Sequence, residues 1–319
     1  MSSELAPTIA ALIEGDRRAI ARAITRVEND PADAAAIVGG VHARSGAALL
    51  VGVTGSPGVG KSSLVDRMTA AWRSRGRRVA VLAIDPSSPF TGGAVLGDRV
   101  RMQNHAGDEG VFVRSMATRG QLGGLARATG DAAVILDAAG FEVVVIETVG
   151  VGQAEVEISR AADVTVVVTM PGTGDGVQAI KAGVMEIADL FVVNKADLSG
   201  AGRAVTEIEA ALSLAELPPE AWRPPVLQTI ATRDEGVDET LDTIDRFREH
   251  GGAVATGRRR ERARTRVRQI VAERVLAQVT DGDAFDRAVD AVLAGKLDPY
   301  AAGAALLGEA APDGGEDEG

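Results

Sequence analysis

The stretch VGVTGSPGVGKSS, residues 51–63, decides the fold of this chain. An apolar, β-branched run breaks there at Gly55 into a glycine-rich loop that ends in Lys61 and Ser62, which matches G-x-x-x-x-G-K-[ST] at every fixed position. Glycines let the backbone turn through positive φ and arrange its N–H groups around a phosphate. Helix-forming residues follow, and a helix N-terminus favours an anion. The pattern predicts a P-loop that binds a nucleotide.

The P-loop motif assigns a role to each of its positions. Lys61 is predicted to reach the β- and γ-phosphates, and Ser62 to ligate Mg²⁺. The alternative, a glycine-rich turn without a ligand, is disfavoured because the strand and the helix that the motif requires are both present. The predicted phosphate contacts are Gly55, Ser56, Pro57, Gly58, Val59, Gly60, Lys61, Ser62 and Ser63.

The composition excludes several other classes of protein. Of 319 residues, 45% are hydrophobic and 25% charged, as in globular proteins, and the net charge of −11 argues against nucleic acid as the main ligand. The chain has no cysteine, which excludes disulfides and thiolate metal sites. We expect no membrane span and a cytoplasmic protein, because no apolar run approaches the length of a span. The histidines show no ligand spacing and are predicted to be surface or loop residues: His42, His105 and His250.

Apolar runs alternate with helical patterns from residue 48 onward, which predicts an α/β fold with a mostly parallel sheet covered by helices on both faces. After the P-loop strand we predict strands at 79–84, 111–114, 141–147, 164–170, 190–193 and 226–229. We predict helices at 61–75, 122–139, 177–187 and 237–249. Ligands of such sheets bind beyond the carboxyl ends of the strands.

Helical segments flank this nucleotide domain. We predict an N-terminal helical extension at 1–45, a P-loop domain at 46–252, a C-terminal helical dimerisation segment at 253–307 and an acidic disordered tail at 308–319. The basic run RRRERARTRVR precedes an apolar stripe at helical spacing, which predicts a long helix that pairs with a second subunit. Its basic start is expected to face solvent or an acidic partner. A nucleic-acid arm is disfavoured by the acidic remainder of the chain.

Acidic residues follow two of the predicted strands. Asp85 and Asp98 lie in a polar loop after the second strand, where they suit a Mg²⁺-responsive switch, although an ordinary surface loop is the alternative. Glu147 ends a buried strand and Gly150 follows it, which is the Walker B arrangement of a Mg²⁺-binding carboxylate and a glycine near the γ-phosphate. Val151 stands where small GTPases carry a water-orienting Gln, so unaided hydrolysis is expected to be slow.

The sequence NKAD, residues 194–197, predicts selectivity for guanine. The carboxylate of Asp197 can accept hydrogen bonds from both guanine N1–H and the 2-amino group, a pair that adenine cannot make. Asn194 and Lys195 complete the motif. Thr229-Ile230-Ala231-Thr232, after the last strand, is a weaker candidate for the loop that contacts the base from the other side, with Ala231 as the predicted contact.

Several longer motifs resemble the MeaB/ArgK/MMAA family of G proteins, chaperones of adenosylcobalamin-dependent acyl-CoA mutases. The motifs that carry the resemblance are DPSSPFTGGAVLGDRVRM, ETVGVGQAE, GDGVQAIKAGVMEIAD, NKAD and LDPYAA. The resemblance implies a P-loop NTPase of the SIMIBI type and a homodimeric GTPase that uses GTP and Mg²⁺, protects a methylmalonyl-CoA mutase or related enzyme, and gates its cofactor loading.

The resemblance also carries site residues onto this chain. It implies Lys61, Glu147 and Lys181 as catalytic residues and a metal site of Ser62, Asp85, Asp98 and Glu147. Lys181 lies in a segment that matches a switch responding to the mutase. The alternative function is a P-loop kinase or ATPase linked to arginine/ornithine transport.

Overall fold

The computed structural model describes residues 5–85, 103–105, 107–117, 124–148, 154–172, 184–214, 218, 221–250, 252–280 and 282–308. The chain forms two compact units, Met1–Arg262 and Ala263–Gly319. The domain boundaries predicted from the sequence remain predictions. In the described ranges, no helix combines the length and the apolar character needed to cross a membrane.

The first unit is built on a seven-stranded parallel sheet in the order β3-β2-β4-β1-β5-β6-β7. The strands are β1 Leu49–Thr54, β2 Val79–Asp85, β3 Val111–Ala117, β4 Val143–Thr148, β5 Val164–Thr169, β6 Leu190–Asn194 and β7 Val226–Thr229. Strands β4, β5 and β6 are buried throughout, as their continuous apolar runs predict. The predicted parallel α/β fold is therefore confirmed.

Twelve α-helices lie in the described part of the chain. They are α1 Leu5–Ile13, α2 Arg17–Asn29, α3 Pro31–Val41, α4 Lys61–Ser74, α5 Gly124–Ala138, α6 Ala154–Ala161, α7 Val184–Ile187, α8 Ala201–Ser213, α9 Val237–His250, α10 Gly252–Thr280, α11 Asp283–Leu293 and α12 Pro299–Leu307. Most of the helix predicted at 177–187, and the tail beyond residue 308, lie outside the described residues.

Both faces of the sheet are covered. On one face, α1, α2 and α3 share a hydrophobic core with α5 and with β2 and β4. On the other, α4 and α9 pack against apolar residues of the central strands. Asp30 caps the start of α3 by accepting N–H groups through its side chain, and Pro31 follows at a position where its missing N–H is harmless.

Strand β3 continues to Ala117, beyond the predicted end at residue 114. It pairs with β2 along this whole length, with Ala117 opposite Asp85. Arg114 interrupts the apolar pattern, but its guanidinium is paired with Glu28 of α2 at 2.7 Å. Because this ion pair neutralises Arg114, the strand continues past the residue at which the sequence pattern predicts its end.

The structure corrects the expectation for two arginines at the basic start of α10, whereas Arg260 and Arg264 are exposed as expected. Arg258 and Arg262 were expected to face solvent or an acidic partner, but both form ion pairs with buried carboxylates of their own unit. Arg262 Nη2 lies 2.6 Å from Asp163 Oδ1, and Arg258 binds Asp189. These two acids precede β5 and β6, where each also accepts a backbone N–H group. The ion pairs hold the start of α10 against the amino edge of the sheet.

A short segment before β3 is attached to α4 by polar contacts. The side chain of His105, predicted to be a surface or loop residue, is only 10% exposed, and its Nε2 lies 3.1 Å from Asp66 Oδ1. Arg73 donates two hydrogen bonds to Asp108, at 2.8 and 2.9 Å, and these hold the pKa of Asp108 below its usual value. The segment is thereby fastened to the helix that follows the P-loop.

Candidate functional site

The P-loop joins β1 to α4 at the carboxyl edge of the sheet, and two of its glycines are required by close approach. Gly55 has φ +139°, and a Cβ there would lie 2.0 Å from the carbonyl oxygen of Val168. Gly60 has φ +94°, and its Cβ would lie 2.4 Å from Asn194 Nδ2. A side chain at Gly55 would collide with backbone, and one at Gly60 would strain the backbone and displace the Asn194 amide. Glycine at both positions lets the loop pass against β5 and against the NKAD motif.

Lys61 begins α4 and is buried, with 5% of its surface exposed. Its Nζ donates hydrogen bonds to the carbonyl oxygens of Gly55 at 2.6 Å and Ser56 at 2.9 Å. The ammonium group therefore lies against the backbone of the first two loop residues, Gly55 and Ser56. A lysine held there can exchange carbonyl oxygens for phosphate oxygens with a small movement of its side chain.

Ser62 and Glu147 meet at the same edge. Strand β4 lies beside β1 in parallel, with Glu147 opposite Val53, so the end of β4 reaches the start of α4. Ser62 Oγ donates a hydrogen bond to Glu147 Oε1 at 2.6 Å, and the two residues are 8% and 5% exposed. The structure thus joins the predicted P-loop serine to the predicted Walker B acid.

Asn194 connects three loops. Its Nδ2 donates to the carbonyl oxygen of Val59 in the P-loop at 3.0 Å. Its Oδ1 accepts the hydroxyl of Thr229 at 3.0 Å and the N–H of Ala231 at 3.2 Å. Asn194 is 2% exposed, so these bonds are shielded from water. The first residue of the NKAD motif therefore sets the distance between the phosphate loop and the loop after β7.

The next residues of the motif turn toward the open side of the site. Lys195 has φ +56°, and its Nζ donates to the carbonyl oxygen of Gly58 at 2.8 Å. Asp197 is partly exposed, with Arg233 Nη2 at 3.9 Å from its Oδ2. A carboxylate at this rim is accessible to a planar base that enters above the P-loop.

Some predicted site residues cannot be placed. Asp98, Gly150 and Lys181 lie outside the described residues, and so does the side chain of Asp85, whose backbone ends β2. Within the described residues, no group of three or more His, Cys, Asp or Glu side chains is arranged to hold a metal ion. Of the metal site predicted from Ser62, Asp85, Asp98 and Glu147, the described side chains are those of Ser62 and Glu147.

Comparison with known proteins identifies the family. A family model described as methylmalonyl Co-A mutase-associated GTPase MeaB matches residues 20–284. The chain belongs to the MeaB family. Family members are named as GTPases, which agrees with a P-loop and an NKAD motif brought together by Asn194.

Individual relatives of this MeaB-family chain are similar over most of its length. A protein from Pyrococcus abyssi is 49% identical over 309 residues, which cover 93% of this chain and 94% of the relative. The GTPase ArgK of Escherichia coli K12 is 36% identical over 294 residues, covering 89% of this chain and 88% of that protein. A solved structure of a LAO/AO transport system kinase superposes with a TM-score of 0.73 at 29% identity, covering 97% and 98% of the two chains.

Sequence reasoning missed two features of the site in this MeaB-family chain. It noted Thr229 only as part of a weak candidate loop, although its hydroxyl binds Asn194. It gave Arg233 no role, although its guanidinium faces Asp197. Arg233 lies two residues after Ala231, which is the only indication in the sequence that it could be near the base. This position could be interpreted only after the structure showed that the loop approaches the NKAD motif.

Proposed function

We propose that this protein binds and hydrolyses GTP, and that it uses the reaction to protect an acyl-CoA mutase and to gate its loading with adenosylcobalamin. The family description, a GTPase associated with methylmalonyl Co-A mutase, supports the GTPase activity and the choice of partner. The observation that carries the guanine assignment is the position of Asn194. Its hydrogen bond to Val59 holds the NKAD motif beside the P-loop, and the bond from Ala231 holds the loop after β7 there as well. A nucleotide with its phosphates on the P-loop would therefore bring its base to Asp197.

The first test compares nucleotides on the free protein. GDP and ADP share their phosphates and ribose, so only the base distinguishes them. We expect GDP to bind more tightly, because Asp197 can accept two hydrogen bonds from guanine and none of that kind from adenine. Titration with both diphosphates measures the preference. Equal affinities contradict the guanine assignment.

The phosphate end of the site supports hydrolysis by charge stabilisation. Lys61 is a buried cation at the P-loop, where it can meet negative charge that develops on the γ-phosphate. Ser62 and Glu147 provide a hydroxyl and a carboxylate 2.6 Å apart, which are oxygen ligands of the kind that Mg²⁺ prefers. When bound, Mg²⁺ supplies positive charge to the phosphate oxygens. We assign Ser62 and Glu147 to hold it, together with Asp85 and Asp98.

The proposed partner is an adenosylcobalamin-dependent mutase, with methylmalonyl-CoA mutase as the first choice. Support comes from the family description and from the motifs of the sequence. We propose that free turnover is slow and that the mutase stimulates it. The experiment measures phosphate release from GTP with and without purified mutase, with the mutase alone as the control. No increase with several mutases contradicts this part of the proposal.

We also propose that two copies pair through the C-terminal helices. Several apolar side chains of α10 stand exposed at helical spacing, among them Val267 at 60% and Val271 at 54%. The double substitution Val267→Asp and Val271→Asp puts charges on this face without removing any residue of Met1–Arg262. We expect the variant to sediment as a monomer that still binds GDP. A variant that stays dimeric shows that the contact lies elsewhere.

A kinase linked to transport is the second candidate function. The observation that favours it is the similarity to a LAO/AO transport system kinase over 97% of this chain. A kinase transfers the γ-phosphate to an acceptor other than water. Labelled GTP or ATP incubated with arginine, ornithine or a binding protein would reveal a phosphorylated product. Release of inorganic phosphate with no such acceptor favours the GTPase.

A further inference from the structure

Arg233 lies at the rim of the base site and faces Asp197. Its Nη2 is 3.9 Å from Asp197 Oδ2, and the two side chains are 60% and 38% exposed. This distance exceeds that of a hydrogen bond, so the contact is a charge pair with a gap between the partners. A small rotation of the arginine side chain would close it.

The backbone that carries Arg233 is held in place. The N–H of Arg233 donates to the carbonyl oxygen of Ile230 at 2.8 Å, and the N–H of Ile230 donates to the backbone carbonyl oxygen of Glu235 at 3.0 Å. Asp234 adopts φ +60° in the turn, and its carboxylate lies 3.6 Å from Arg67 of α4. These contacts hold the backbone of the loop in place, so Arg233 can approach Asp197 by rotation of its side chain alone.

A guanidinium and the edge of guanine present the same chemistry to a carboxylate. Each offers neighbouring N–H donors in one plane, and a carboxylate accepts such donors in pairs. If Asp197 reads guanine, then Arg233 and the base need the same acceptor. Both cannot occupy it in full at one time.

We propose that Arg233 competes with guanine for Asp197 and thereby limits the preference of the site for guanine nucleotides. This inference rests on the proposed guanine site. In the nucleotide-free protein Arg233 partly neutralises the carboxylate, and an entering guanine displaces it. The pair therefore lowers the affinity for guanine nucleotides and slows their association, and it has no such effect on a base that does not use Asp197.

The variant Arg233→Gln removes the charge and keeps a polar, unbranched side chain that is too short to span the same distance to Asp197. We expect the dissociation constant for GDP to fall about two- to fivefold at low ionic strength, the range set by an exposed ion pair. The gain should shrink in about 0.5 M salt, because charges at the surface are then screened. Affinity for ADP should not change. Arg203→Gln is the matched control, since Arg203 is an exposed arginine paired at the surface with Glu207.

A double-mutant comparison isolates the pair. In the Asp197→Asn background, Arg233→Gln should give no further gain in GDP affinity, because the carboxylate for which the two groups compete is gone. Unchanged or weaker GDP binding by Arg233→Gln relative to Arg203→Gln overturns the inference, and so does a gain that persists in the Asp197→Asn background. Equal affinity of the unaltered protein for GDP and ADP overturns the guanine site itself, and the inference with it.

Discussion

The guanidinium of Arg258 and the carboxylate of Asp189 form a bidentate ion pair, with Nη1 2.5 Å from Oδ2 and Nη2 2.7 Å from Oδ1. The side chain of Asp189 is 4% exposed, and its Oδ2 also accepts the N–H of Thr165 at 2.8 Å. Burial raises the pKa of Asp189, and the hydrogen bonds from Arg258 oppose that rise. The charge of this buried acid therefore depends on Arg258.

Removal of Arg258 should destabilise the protein strongly. Arg258→Ala leaves a carboxylate buried without its cation, a change that lowers the free energy of unfolding by about 3–5 kcal/mol in comparable buried pairs. Urea denaturation at pH 8 measures the loss. Arg203→Ala is the control, because it breaks an exposed pair and should leave the free energy of unfolding nearly unchanged.

The loss in Arg258→Ala should also depend on pH. An acid whose folded pKa lies above its unfolded value holds its proton more tightly in the native state, so its contribution to stability is largest at low pH and declines as pH rises through the folded pKa. Without Arg258 the pKa of Asp189 rises further. The difference in the free energy of unfolding between the variant and the unaltered protein should therefore be smaller at pH 5 than at pH 8. If this difference in the free energy of unfolding is the same at pH 5 and at pH 8, Asp189 does not carry a buried charge in the variant.

Asp197→Asn should shift the base preference of the site from guanine toward xanthine. Loss of the charged acceptor should weaken GDP binding by about 1.5–3 kcal/mol. The amide of Asn can donate to the second carbonyl group of xanthine, so affinity for xanthosine diphosphate should rise in the same variant. Titration of both nucleotides on both proteins checks this exchange. Parallel changes in the two affinities would mean that Asp197 acts on folding and not on the base.

Glu147→Gln tests Mg²⁺ binding separately from nucleotide binding. Glutamine can still accept the hydrogen bond from Ser62 but lacks the negative charge that attracts Mg²⁺. Binding of GDP in the presence of a chelator should change little, whereas the affinity of the GDP complex for Mg²⁺ should fall about 10- to 100-fold. Calorimetric titration with Mg²⁺ measures this. Mg²⁺ affinity equal to that of the unaltered protein would remove Glu147 from the metal site.

Lys181→Ala tests how a partner would stimulate hydrolysis. A cation added to the γ-phosphate contributes about 10³–10⁵ to the rate in GTPases generally. We expect the variant to keep its basal rate and GTP affinity and to lose the increment caused by a mutase. Phosphate release with and without the mutase decides this. Full stimulation of the variant assigns the stimulating group to another switch or to the mutase.

Asp108→Asn should weaken the attachment of the segment before β3. The pair with Arg73 is partly exposed, so we expect a loss of about 1 kcal/mol in the free energy of unfolding at pH 7. The pKa of Asp108 is lowered, chiefly by Arg73, so its contribution is present above the unfolded pKa of about 3.9 and is lost as pH falls through the folded pKa. The variant and the unaltered protein should therefore converge in stability below about pH 4.

The sequence by itself determined the fold and supplied the motifs on which the proposed site rests. Residues 55–62 and 194–197 are local motifs whose chemistry is complete within a few positions, and continuous apolar runs such as that of β4 reveal a buried parallel strand. Parallel order also predicts that the side chains after the strands lie at one edge of the sheet. The hydrogen bond between Ser62 and Glu147 lies at that edge, and the pairing of β4 with β1 brings the two residues together.

Only the tertiary structure decided which distant side chains pair. Arg258 and Asp189 are 69 residues apart, and Asn194 and Val59 are 135 apart. Periodicity shows which face of an element is apolar, but it does not show which acid a given arginine will reach. That choice depends on strand order, on the register of neighbouring strands and on burial, which makes an unpaired charge costly. The basic start of α10 resembles a solvent-facing surface in the sequence, yet two of its arginines, Arg258 and Arg262, form ion pairs with buried acids in the folded chain.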